Sequence, residues 1–253
     1  MDDNSLKYYL KHLACIDSTN RYIKDEAIQL AIEAPYASAF VVTADKQTAG
    51  RGQRGNSWQS QGGENLLMSI MLYPTFLKVR EQFLLSQVAA LSVKATMAHY
   101  GIDAILKWPN DIYVGDRKLC GILVELSSVG DNLSDVVVGI GLNINQMQFA
   151  PMDKVPVSMR MLKGEEYAVA KVRDVLLQEF SRYYSLLQSG SSEVVCKEYI
   201  NSLLGYGETM QYRDAAGTFF AAIEGIAPMG NILLRRTDGS LSSYAFKEVE
   251  LLL

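Results

Sequence analysis

The residue pattern predicts an α/β (α+β) protein that ends in a small all-β unit. Two observations carry that reading. Apolar runs of strand length at 39–45, 65–73 and 135–145 alternate with stretches of helical period at 80–100 and 166–187. After Gly205 the helical periodicity stops, and short extended runs follow one another between Asp, Gly and Pro turns. Composition agrees: 253 residues, 49% apolar and 21% charged, can bury a sizeable core.

Taken in order, residues 6–15 leave too little chain for a helix-turn-helix module ahead of the first motif. Asp17-Ser18-Thr19-Asn20 is N-cap chemistry and opens a helix over 21–33, with Tyr22, Ile23, Ala27, Leu30 and Ala31 near helical spacing. Its exposed hydroxyls and amides also suit a carboxylate or a polar ring. A strand at 39–45 precedes the glycine-rich stretch 50–58, and a second at 65–73 stops at Pro74. The helix over 80–100 carries one apolar stripe through Phe83, Leu84, Val88, Leu91, Ala95 and Ala98, and Gly101 closes it. A short strand then meets the turn Trp108-Pro109-Asn110-Asp111; 112–114 and 117–125 form a hairpin about Gly115-Asp116. A strand follows at 135–145, and 146–164, holding Pro151 and Pro156, reads as loop. Helices at 166–187 and 194–204 are separated by Gly190-Ser191-Ser192. Short strands at 209–212, 219–223, 225–226, 231–235 and 249–253 make an SH3-like barrel. The boundary falls near 204/205, giving units 1–204 and 205–253.

Charge and cysteine narrow the function. A net charge of −4 opposes general nucleic-acid binding, whereas Lys46, Arg51, Arg54, Lys107, Arg117 and Lys118 gather beside the motifs, as a small anionic ligand requires. Cys15, Cys120 and Cys196 are widely spaced, and with His12 and His99 they make no zinc pattern. The acidic N-terminus has no signal-peptide plan and no apolar run approaches membrane-spanning length, so a soluble, cytoplasmic protein is expected.

Gly50-Arg51-Gly52-Gln53-Arg54-Gly55-Asn56-Ser57-Trp58 organises the chain. Glycines allow a tight or mobile loop, and arginine forks match phosphate and carboxylate. The literal G-x-G-x-x-G is not followed by a helical period, so a dinucleotide fold is excluded; no Gly-Lys-Ser/Thr follows, which excludes a P-loop. A lid over an anion remains. Gly121 interrupts an apolar strand three residues after Lys118, and Gly139 and Gly141 interrupt another, as where a ligand lies against backbone.

These motifs, with Lys107-Trp108-Pro109-Asn110-Asp111, Lys118-Leu119-Cys120-Gly121-Ile122-Leu123 and Gly139-Ile140-Gly141-Leu142-Asn143, resemble biotin–protein ligases (biotin–acetyl-CoA-carboxylase ligases) over about residues 15–145. The resemblance implies a mixed-sheet catalytic unit with helices packed on it. It implies ATP, Mg2+ and biotin as substrates and metal, with no tightly bound prosthetic group. The acceptor would be a lysine of a biotin carboxyl carrier domain. Homodimers pairing at a sheet edge occur in the family; no DNA or membrane partner is expected here.

Residue by residue, the resemblance implies Lys118, Arg51 and Asp111 as catalytic. It assigns Ser18, Thr19, Asn20, Gln47, Gly50, Arg51, Lys118 and Gly121 to biotin. Arg51, Gly52, Arg54, Trp58, Lys107, Asn110, Asp111 and Asn143 fall on the ATP side, with Trp58 beside adenine. Magnesium would arrive with ATP near Asp111 and Asn143, and Asp111 is alternatively a base for the incoming amine. Gln53 and Asn56 stand where the arginine-richer pattern has arginine, so looser retention of the adenylate is expected. The rival readings are a lipoate or octanoate ligase of the same fold, and a non-catalytic adenylate sensor.

Overall fold

A computed structural model of the chain describes residues 5–151 and 154–252. The predicted fold class is present as a seven-stranded mixed sheet with helices on it and a five-stranded antiparallel sheet at the C-terminal end. The large sheet comprises β1 (Tyr8–Ile16), β2 (Ala39–Gln47), β3 (Leu66–Leu72), β4 (Ile105–Lys107), β5 (Asp111–Val114), β6 (Arg117–Val129) and β7 (Asn132–Leu142), in spatial order β1-β2-β3-β7-β6-β5-β4. β1 and β2 run parallel and the other neighbours antiparallel. The helices are α1 (Thr19–Asp25), α2 (Ala27–Glu33), α3 (Phe83–His99), α4 (Met159–Lys163), α5 (Val169–Gln188) and α6 (Ser192–Asn201).

Strand period 2 explains where the site can be. Along β7, Val136, Val138, Ile140 and Leu142 enter the main core with α3, α5 and α6. Val137 points the other way, into a smaller core with Ile23 of α1, Leu30 of α2, Phe40 and Val42. Gly139 and Gly141 continue that second face beyond the reach of α2. The short helices cover one part of it, and the glycines leave the next part bare.

The small sheet holds β8 (Thr209–Asp214), β9 (Gly217–Ile226), β10 (Ile232–Arg236), β11 (Leu241–Tyr244) and β12 (Glu250–Leu251), ordered β11-β10-β9-β8-β12. It is fastened to the large sheet through Trp108, whose Nε1 donates to the Gly230 carbonyl at 2.9 Å and whose ring meets Phe246 edge-on. The Trp108–Pro109 peptide is cis.

The structure differs from the sequence reading in definite places. Most of residues 6–15 belong to β1, a sheet-edge strand along which the partly buried Tyr9, Lys11 and Leu13 alternate with the exposed Leu10, His12 and Ala14. The helix at 21–33 is two helices, divided at Glu26 (φ −98°, ψ 8°). Helix α3 is not buried along one stripe: Leu85, Ala89 and Val93 are as buried as Leu84, Val88 and Leu91, because α5 and α6 cover the sides that the sheet does not. The loop 146–164 contains α4, capped by Ser158 Oγ accepting from Met161 N (3.2 Å) and ended by Gly164 at φ 75°. Residues 219–223 and 225–226 belong to one strand, and β11 was not anticipated. The predicted strand 249–253 contracts to Glu250–Leu251, and Leu253 lies outside the described residues. No helix among the described residues is long and apolar enough to cross a membrane.

Candidate active site

One end of the bare face is polar and buried. Ser18, Thr19 and Asn20 open α1 at 3%, 4% and 3% exposure. Ser18 is the N-cap residue, but its hydroxyl makes no capping bond. The Thr19 amide and hydroxyl approach Gln47 Oε1 at 2.7 and 3.1 Å. Ser69 Oγ from β3 lies 2.7 Å from Thr19 Oγ1 and 2.6 Å from Asn20 Oδ1. Such a satisfied network holds its members in fixed orientation. Asn20 fills the space over Gly139, where a Cβ would stand 2.2 Å from its Oδ1. Its Nδ2 donates to Glu125 Oε2 at 2.8 Å.

The 50–58 stretch closes over this floor as a small hairpin rather than an open loop. Gly52 N donates to Asn56 O (2.7 Å) and Trp58 N to Gly50 O (3.0 Å), so Arg51 pairs with Ser57. Glycine is required at 50, where a Cβ would meet the Trp58 carbonyl oxygen at 2.4 Å. Arg51 Nη2 reaches Glu125 Oε1 at 3.0 Å, so the lid is latched to β6. Of Arg54, only the backbone, in a short 3-10 turn with Gln53 and Gly55, belongs to the described structure.

Trp58, assigned beside adenine, turns inward from the lid. Its indole lies flat on the glycine floor: a Cβ on Gly141 would come within 2.5 Å of Cε2, and one on Gly121 within 2.9 Å of Cζ3. The cavity left beneath the lid is about 100 Å³, below the roughly 300 Å³ at which small-molecule pockets usually begin. Trp58 Nε1 is buried and finds no acceptor among the described residues. An unmet donor of that kind costs about 1–3 kcal/mol, which an acceptor on a bound molecule would offset.

Lys118 reaches the same floor by a β-bulge. Strict alternation would place it opposite Gly121, but the β5–β6 register shifts between Ile112↔Cys120 and Tyr113↔Lys118. Leu119 and Cys120 therefore both enter the main core, and Lys118 turns to the site, its Nζ 3.3 Å from where a Gly121 Cβ would be. The ammonium sits 5.6 Å above the Trp58 ring and 2.6 Å from Asp111 Oδ1. Asp111 is buried (side chain 5% exposed), and its other oxygen takes Lys154 Nζ, also at 2.6 Å.

Three residues assigned to the nucleotide side have other work in this arrangement. Asn110 brackets β6: its Nδ2 donates to Ile122 O at 2.7 Å and its carbonyl accepts from Ile122 N. Asn143 is buried with Nδ2 donating to Val157 O at 3.1 Å, although it faces a cavity shared with Lys118 and Lys154. Lys107 lies 5.1 Å over the Tyr113 ring and lines the neighbouring cleft rather than the one under the lid. Burial, and then repulsion from Lys154, lowers its pKa. No group of three His, Cys, Asp or Glu side chains placed to hold a metal occurs among the described residues. With an ammonium on each Asp111 oxygen, the residues present do not form a magnesium cradle.

Sequence reasoning missed Glu125, Lys154, Ser69 and Phe246, which brings the small sheet to the cleft wall. Glu125 had a signal, since 121, 123 and 125 share one strand face. Lys154 had none, because its loop has no period.

The model of the biotin/lipoate A/B protein ligase family matches residues 12–143. The bifunctional ligase/repressor BirA of Bacillus spizizenii is 32% identical over 208 residues, 81% of this chain and 64% of that protein. The biotin–[acetyl-CoA-carboxylase] ligase of Paracoccus denitrificans is 31% identical over 242 residues, 90% of this chain and 94% of that one. The biotin protein ligase of Aquifex aeolicus, solved with biotin and ATP, superposes with a TM-score of 0.78 at 26% identity, covering 96% of this chain and 98% of that structure. The chain thus spans 64% of the length of the Bacillus spizizenii relative and nearly all of the other two. The matched segment contains the glycine floor, the lid and Lys118, and the chain belongs to the biotin/lipoate A/B protein ligase family.

Proposed function

We propose that the protein is an ATP-dependent biotin–protein ligase that makes biotinyl-5′-AMP and passes the biotinyl group to a lysine of a biotin carboxyl carrier domain. One observation carries the reading. A buried polar end, a glycine floor, Lys118 and Arg51 line one lidded cleft. Biotin has the matching order: a polar ring, an apolar tail and a carboxylate. The relatives named for biotin support that choice of acid.

In this scheme Ser18, Thr19, Asn20 and Gln47 receive the ring. The tail lies on Gly121 and Gly141 once the Trp58 indole lifts from them, and the ring then covers it. Gly50 and Gly52 let the lid backbone come close. Lys118 and Arg51 hold the carboxylate and the α-phosphate together, offsetting a repulsion that would otherwise keep the two anions apart. A carboxylate oxygen attacks the α-phosphorus, the bond to the bridging oxygen breaks, and pyrophosphate leaves. A neutral acceptor amine then attacks the acyl carbon while Lys118 donates to the carbonyl oxygen; the bond from the acyl carbon to the phosphate oxygen breaks, AMP departs and the proton lost by the amine passes to solvent. Asp111 keeps Lys118 aimed into the site through Oδ1, and its other oxygen holds Lys154 while no nucleotide is bound. The lid excludes water from the anhydride until the acceptor arrives.

Magnesium, brought with ATP, would neutralise the phosphate chain; the steps above use this chain's own groups. The division into a catalytic unit at 1–204 and a C-terminal unit at 205–253 is part of this proposal. So is a cytoplasmic setting, which the free Cys15, Cys120 and Cys196 suit. The test is transfer: the protein with biotin, ATP and an isolated carrier domain should add one biotinyl group to one lysine, read by intact mass. Lipoyl or octanoyl addition instead, with biotin inert, would assign the other branch of the family.

A further inference from the structure

Lys154 is better placed than its loop position suggests. The chain beyond it is stitched to β6 at the catalytic lysine itself: Lys118 N donates to Val155 O at 2.8 Å, and Val157 N donates to Lys118 O at 2.9 Å. The strand that carries Lys118 therefore also fixes where Lys154 begins. The Lys154 side chain, half exposed, ends 2.6 Å from Asp111 Oδ2. It borders the cavity under the lid, the cleft toward the small sheet and the cavity beside Phe149 and Pro156. Among the described charged residues Lys154 alone borders all three, while Lys118 and Asp111 border two each, so Lys154 stands where the cavities converge.

The local charge is unbalanced. Lys107, Lys118 and Lys154 gather about Asp111, with Glu250 a second carboxylate near Lys107, within a protein whose net charge is −4. Burial chiefly, and repulsion from Lys154 next, lower the pKa of Lys107. Half-buried cations in excess favour a polyanion arriving among them. The lid supplies fewer such contacts than it has positions for, because Gln53 and Asn56, both lining the cleft, are uncharged.

We propose that Lys154 is a phosphate-binding residue of the adenylation step: it leaves Asp111 for the phosphate chain of ATP and holds the pyrophosphate half as the bond to the α-phosphorus breaks. Asp111 is then the resting partner that keeps the Lys154 ammonium at the mouth and, on its other oxygen, keeps Lys118 aimed inward. Biotin, which carries no phosphate, does not meet Lys154. The inference rests on the ligase reading above.

The test is ATP–pyrophosphate exchange at saturating biotin with wild type, Lys154→Ala and Lys154→Arg, together with biotin binding by calorimetry without nucleotide. The expected result for Lys154→Ala is a KM for ATP and pyrophosphate raised about tenfold to a hundredfold, the usual worth of one charge-assisted contact. Its biotin affinity and thermal midpoint should stay at wild-type values, and Lys154→Arg should recover most of the loss. A Lys154→Ala enzyme with wild-type KM for both phosphates overturns the proposal. So does an equal loss of biotin affinity, which would mark Lys154 as a structural support. A wild type that exchanges with no acid overturns the ligase reading instead, and the proposal falls with it.

Discussion

Gly141→Ala isolates the glycine floor from everything else in the cleft. The added methyl would stand 2.5, 2.8 and 2.9 Å from Trp58 Cε2, Cζ2 and Cδ2, where carbon contacts settle at about 3.5–4.0 Å. The ring must therefore retreat by roughly 1 Å. It can do so, because Trp58 rides on the lid hairpin, whereas β7 is held between β3 and β6. Gly141 does not need the left-handed region, so alanine adds no backbone strain and relieves about 0.4–1 kcal/mol of unfolded-state entropy. That gain opposes the lost indole packing, and net stability should change by less than about 1 kcal/mol. Binding should change much more. One methyl intruding on a fitted apolar slot is worth about 1–3 kcal/mol, or 10- to 200-fold in affinity for biotin. Calorimetric titration with biotin gives the affinity and urea unfolding gives the stability. Trp58 emission reports the ring, with Trp108, bonded to Gly230, as the second of two indoles. Wild-type biotin affinity in Gly141→Ala would refute the floor.

Other substitutions probe separate parts of the cleft. Lys118→Ala should lower the adenylation rate by about 10²–10³, measured by single-turnover formation of AMP anhydride; a rate within about tenfold of wild type would remove Lys118 from that step. Gln53→Arg should slow release of the adenylate by adding a contact of about 1.5–3 kcal/mol to the lid, followed by rapid filtration; unchanged release would show that position 53 does not reach the ligand. Lys107→Met addresses pH. The folded-state pKa of Lys107 lies below its ordinary value, chiefly through burial, so the unfolded chain binds more protons there. Stability should rise as pH climbs from the lowered value toward the ordinary ~10.4, and fall back as pH drops. Urea midpoints measured across that alkaline window should show a shallower rise for Lys107→Met than for wild type.

Much of this architecture is legible in the residues, and the failures have physical causes. Strands β2, β3 and β7 lie inside the sheet, so their nearly continuous apolar runs announce them. β1 is an edge strand with Lys11, His12 and Cys15 on it, and exposure dilutes its pattern. The cap pair Ser158 and Gly164 around α4 was present, but a helix of that length shows no period. The glycines at 121, 139 and 141 marked a close approach, and the structure puts Asn20 and Trp58 against them. What remained hidden depends on contacts between distant segments. Lys118 reaches the site through a bulge, which moves a residue between faces without leaving a signature in composition. Glu125 gains its role from Arg51, far back along the chain. Lys154 becomes visible once its loop is seen pairing with β6.

ATP–pyrophosphate exchange with biotin, lipoate and octanoate supplied separately tests the central claim most directly. The account predicts exchange with biotin and background with the other two acids. Exchange driven by lipoate or octanoate while biotin stays at background would contradict it, and would reassign the polar end of the cleft to a different ring or chain.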